Sequence, residues 1–142
     1  MKTRVILWLL AAPNLAVGLW AGFAPHSWYS DFPGFGRHWI PAFGHYNEHL
    51  VRDFGFALAA LGVILAWAAI NERGRLTEAV LGGLLVFATP HLVFHLATLD
   101  KLSTGDDIAN IALLVGSVVL APAIVFGYAV KAADREDREL GR

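Results

Sequence analysis

An all-α bundle of four membrane-spanning helices is the fold this sequence predicts, on three observations. Apolar side chains make up 56% of the 142 residues and charged ones only 16%, a balance outside the usual range of soluble domains. The run 54–70 holds no charged residue, and with the turn before it the run is long enough to cross a bilayer. Three further apolar stretches, at about 5–23, 77–99 and 107–130, match it in length. One membrane domain over 1–130 is expected, followed by a charged tail over 131–142.

Composition also excludes several classes of function. With a formal net charge of -1 there is no basic field to attract nucleic acid. The chain has no cysteine, so disulfides, thiolate metal sites and iron-sulfur clusters are ruled out. Any metal must be held by imidazole, carboxylate or backbone oxygen.

The first helix follows the basic lead Met1-Lys2-Thr3-Arg4. It is read as a retained span rather than a signal peptide, because its apolar run exceeds the usual length and Pro25 follows the small residues. Pro13 removes one backbone bond within it, and Asn14 beside it is expected to bond a neighbouring helix. Residues 24–45 form a long outer loop in which Trp28, Tyr29, Phe32, Phe35, Trp39 and Phe43 alternate with Pro and Gly. Aromatic rings of this kind favour the headgroup layer, so the loop is expected to fold as a cap on the bundle.

The second helix, about 47–70, carries a small-residue edge of Gly55, Ala59, Gly62 and Ala66 suited to close helix approach. A turn at 71–75 leads to the third helix, with Thr77-Glu78 expected as its cap. Pro90 frees the carbonyl of Val86 and marks that level as a polar pocket. Asp106 and Asp107 open the fourth helix, where the helix dipole favours acids.

Orientation follows from the basic residues. Four spans put both termini on one side. Eight of the 11 lysines and arginines fall on that side or in the 71–75 turn, against Arg37, Arg52 and Lys101 opposite. Both termini are therefore expected in the cytoplasm, with the chain in a bacterial inner membrane.

The stretch Tyr46-Asn47-Glu48-His49-Leu50-Val51-Arg52-Asp53 concentrates ionisable groups at the mouth of the second helix. Glu48 with Arg52 and His49 with Asp53 are each four apart, as are His91 and His95 on the third helix. Three readings stay open. The groups hold helices two and three together. Alternatively His49, Asp53, His91 and His95 bind a metal, zinc or iron by ligand type, with copper(II) also suited. Haem fits less well, because histidines four apart cannot supply opposite axial ligands. In the third reading Asn47, Glu48, His49, Arg52, Asp53, His91 and His95 line an outward pocket that handles protons or takes a lipid or quinone headgroup. For the metal reading, Asp100 and Asn110, with Asn47, are the residues expected to hold the ligand tautomers by hydrogen bonds.

Four spans, a long first outer loop and the octapeptide opening helix two resemble small bacterial membrane proteins of the DoxX type. The resemblance implies a membrane accessory protein, a subunit of a larger assembly or a homo-oligomer, and it carries over no catalytic residue. A small-ligand-binding or accessory role is the leading expectation, with a metal-dependent oxidoreductase or hydrolase as the alternative.

Overall fold

The computed structural model describes the backbone of residues 2–71 and 74–139 and most side chains as far as Leu120. The chain is all-α apart from one short hairpin. In order come α1 (Lys2–Phe23), α2 (Pro25–Asp31), β1 (Pro33–Gly34), β2 (Arg37–His38), a 3-10 turn (Ile40–Phe43), α3 (Glu48–Asn71), α4 (Gly74–Leu96) and α5 (Thr104–Glu139).

Three helices among the described residues are long and apolar enough to cross a membrane, namely α1, α3 and α4, where the sequence leads one to expect four. The difference lies in α5, whose side chains beyond Leu120 lie largely outside the described residues. Its backbone continues through the boundary expected at 130 as far as Glu139. The turn expected at 71–75 lies partly outside the described residues, at 72 and 73, as does the last part of the tail, 140–142.

Local chemistry sets the helix limits. Asn47 accepts the Leu50 N–H through Oδ1 at 3.1 Å, which makes it the N-cap of α3. Ser103 does the same for α5, accepting the Asp106 N–H at 3.2 Å while its hydroxyl donates to the Asp106 carboxylate at 2.8 Å. The expected cap at Thr77 is not realised. Because α4 already begins at Gly74, Thr77 is a fully buried residue inside the helix. Nor does Asn14 bond another helix among the described residues; its amide turns back to the Leu10 carbonyl of α1 at 2.7 Å, one turn away beside Pro13.

The loop expected as a cap is folded as one. Proline at its first position starts α2, and the hairpin turns through Phe35 and Gly36 at φ of 57° and 75°. Two successive positive φ values are those of a type I′ turn, whose twist matches the paired strands. Tyr29 Oη donates to the Gly44 carbonyl at 2.8 Å and ties the end of the loop to α2.

The long helices pack as two pairs. α1 and α3 are closely joined along a seam of glycines. A methyl group placed on Gly18 would lie 2.7 Å from the Gly55 carbonyl oxygen, and one on Gly55 would lie 2.8 Å from that of Gly18. Neither position has room for any side chain. α4 and α5 make the second pair. Near the α3–α4 turn the pairs are joined by a core of Leu7, Leu10, Leu65, Leu81 and Leu84 with small residues between. At the other end Ala21, Trp28 and Val51 form a smaller cluster beneath the aromatic cap. Between these two cores the pairs stand apart.

Candidate functional site

The space between the pairs is a partly enclosed cavity of about 830 Å³, within the range of small-molecule sites. Every long helix contributes to its wall, and so do α2 and the loop after it. Asn110 and Leu120 of α5 both line it; ten helical residues at 1.5 Å each give it a length of about 15 Å. Leu9, Leu10 and Leu120 border it toward the turn end, while Trp39, Phe43 and His95 border it toward the cap.

Several polar groups lie at the cap end, while Asn14 and Ser117 line the cavity nearer its other end. Asn110 is 8% exposed, and its amide donates to His95 Nδ1 at 2.8 Å. The His95 ring meets Phe43 edge-on at 4.8 Å and His91 edge-on at the same centroid distance. His91 in turn stacks on Phe87 at 5.3 Å, and Phe87 lies 6.2 Å from Phe54, which contacts Trp28. A continuous run of rings thus crosses the cavity from α5's neighbour, α4, to the cap. Among the described residues that line it there is no carboxylate, ammonium or guanidinium.

The structure divides the group that spacing predicts as one site. His91, His95, Asn47 and Asn110 line the cavity. Glu48, His49, Arg52 and Asp53 do not. Arg52 bonds the Glu48 carboxylate at 2.8 Å and reaches back across the seam to donate to the Gly22 carbonyl at 2.7 Å. That carbonyl is in the last turn of α1, where no helical donor is left for it, so Arg52 acts as a C-terminal clamp on α1. His49 and Asp53 face each other at 3.3 Å with side chains 88% and 64% exposed. Asp100 is exposed in the turn after α4 and does not line the cavity. Among the described residues no three His, Asp or Glu side chains gather where one metal ion would be shared.

No protein-family model, curated protein or solved structure matches this chain.

A lock holds the cap over the cavity. Arg37 of β2 pairs with Asp106 of α5 at 2.7 Å. The Trp39 indole N–H is close enough to favour the Asp106 charge, although it forms no hydrogen bond of ordinary geometry. With Ser103 and Arg37, it holds the Asp106 carboxyl below its usual pKa.

Two features of the site escape a reading by charge alone. The walls owe more to aromatic residues of the cap, which look like anchors in the sequence, than to the ionisable octapeptide. And the partner of the α3 small-residue edge is Gly18-Leu19-Trp20-Ala21-Gly22 of α1, a GxxxG pattern that signals close approach and was there to be matched.

Proposed function

We propose that this chain is an integral membrane protein that binds a small uncharged amphiphile in the cavity between its two helix pairs. The observation that carries this reading is a mostly apolar chamber about 830 Å³ in volume with scattered amide, hydroxyl and imidazole groups and no Asp, Glu, Lys or Arg among the described residues that line it. An ionic headgroup taken from water into such a place would meet no Asp, Glu, Lys or Arg side chain, and a charge buried without such a partner costs several kcal/mol. A neutral head with an apolar tail meets no such penalty.

The uncharged run 108–130 supports α5 as a fourth span. With four spans, the distribution of basic residues supports cytoplasmic termini in a bacterial inner membrane and a cap end facing outward. The DoxX-like layout supports a role as an accessory beside other membrane subunits. His49 and Asp53 belong, in this reading, to the exposed rim and not to the ligand.

Gly116 provides the test. It lines the cavity, and a side chain placed there would meet nothing within 4 Å, so Gly116→Phe fills the chamber without disturbing a seam. In detergent, a bromine-labelled monoacylglycerol should quench tryptophan fluorescence saturably in the wild-type protein. Gly116→Phe should abolish the saturable part. Quenching that rises linearly and equally in both proteins would defeat the proposal.

A further inference from the structure

We infer that the bound molecule carries a second polar group, a hydroxyl about 10 Å from its head, received at the level of Asn14 and Ser117. The inference rests on the amphiphile-binding reading above and adds the chemistry of the ligand's far part.

The cavity wall is polar at two depths. His91, His95 and Asn110 stand at the cap end, while Asn14 of α1 and Ser117 of α5 line the other half. Leu10 and Leu120 border that half, and Leu120 packs against the core to which Leu10 belongs. Asn14 is four residues from Leu10 and Ser117 three from Leu120, so both stand within about 4–6 Å of that border along their helices. Asn110 and Ser117 are seven residues apart on α5, two turns that put them on one face and about 10 Å apart along it. The wall residues between them, Ala112, Leu113, Leu114 and Gly116, offer no polar side chain.

The deeper groups are short of partners. The Asn14 amide bonds the Leu10 carbonyl at 2.7 Å, and because a carbonyl only accepts, the edge turned to it is the NH2. Oδ1 is left as an acceptor, with no donor to it among the described residues. The Ser117 hydroxyl has no partner among them either. Neither oxygen is sealed in the packing, since the buried side-chain polar atoms without a partner among the described residues are the Trp28 and Trp39 nitrogens. Both open to accessible space on a wall that the ligand lies against.

Water can satisfy both oxygens when no ligand is bound, but a molecule that fills the chamber displaces it. An apolar tail laid across this depth would strip them of partners in a membrane interior that supplies none. A ligand that brings a donor of its own replaces what it removes. That donor is uncharged, because no Asp or Glu among the described lining residues would balance a cation. A carbonyl or an ether has no proton for Asn14 Oδ1. A hydroxyl meets both conditions, and either oxygen accepts from it.

The test is a competition in detergent against the bromine-labelled monoacylglycerol, read by tryptophan fluorescence. Straight-chain α,ω-diols of increasing length are set beside the monohydric alcohols of the same length, in the wild-type protein and in Asn14→Leu/Ser117→Ala. Wild-type affinity should peak at the diol whose hydroxyls stand about 10 Å apart. The double variant should hold that diol about tenfold more weakly, the scale of one good hydrogen bond. The monohydric alcohols should bind both proteins alike, which shows that the chamber keeps its shape.

Should the double variant fail to fold, Ser117→Ala alone and the length dependence in the wild type decide. Diol affinity that follows length without a peak, and is the same in the variant, would overturn the second polar group and leave the amphiphile reading standing. A labelled probe that never saturates, or that Gly116→Phe does not exclude, would overturn both.

Discussion

Along α1 and α3 the helices meet at Gly18, Gly22, Gly55 and Gly62, close enough that an added methyl group would strike backbone or a packed side chain at each. Along α4 and α5, Gly82, Gly83 and Gly116 border open space, with nothing within 4 Å of an added methyl. Residues of one type thus sit at a sealed seam and beside a chamber. What separates the two is the opposing surface. Gly55 is met by Gly18 and Gly22 on a facing helix, and small residues on both sides let dispersion contacts build along the whole seam. Gly116 faces the open chamber, with no atom of a facing helix within 4 Å of an added methyl. A small residue closes an interface only when its partner is small as well.

The contrast is most sharply broken by a side chain at its tightest point. Gly55→Val should cost about 3 kcal/mol, the upper part of the range for overpacking, read from unfolding by a denaturing detergent followed by circular dichroism. Gly82→Ala should lose nothing and gain up to about 1 kcal/mol from helix propensity. Similar losses at both positions would mean that the two regions are packed alike. Next in size is the clamp. Arg52→Ala leaves the Gly22 carbonyl without its donor and should cost about 2 kcal/mol, as expected for a hydrogen bond from a charged group, with faster hydrogen exchange confined to the end of α1. Arg52→Lys should recover only part, since an ammonium lacks the fork that spans Glu48 and the carbonyl together.

The smallest effect belongs to the lock over the chamber. The Asp106 carboxyl is held below its ordinary value of 3.8 by the nearby Trp39 indole, Ser103 and Arg37. A lowered folded value means that the ionised form stabilises the fold above 3.8, and that this contribution disappears as pH falls through the folded value. Asp106→Asn should remove that part of the acid dependence. An acid unfolding profile that superimposes on the wild-type curve would show that the lock carries no such load.

Much of the fold was legible before any coordinates, because it follows from simple periodic and compositional rules. The uncharged run 54–70 required a helix of membrane length, and the Gly-Pro interruptions among aromatic residues excluded a long regular element, leaving a folded cap or a plain interfacial anchor. Helix ends were less legible. Thr77 offers a hydroxyl in the right sort of place, but Gly74 starts the helix earlier and the hydroxyl is buried within it. The site was half legible. His91 and His95 do share one side of α4, as their spacing implies. The octapeptide misled because spacing of four tells which side chains share a face and not which helix that face meets. Arg52 faces the end of α1, so its charge serves a helix terminus. Asn110, expected beside the histidines, does bond His95, whereas the cap aromatics became important through contacts across many residues of sequence, which no local pattern records.

The clamp has one more consequence, for the order in which the molecule is put together. Gly18, Gly22, Glu48, Arg52, Gly55 and Gly62 all precede residue 72, so the first helical hairpin contains everything its own closure needs. It is equipped to lock while the later chain is still leaving the ribosome. The chamber, whose wall includes residues of α4 and α5, exists only once those helices have packed against that hairpin.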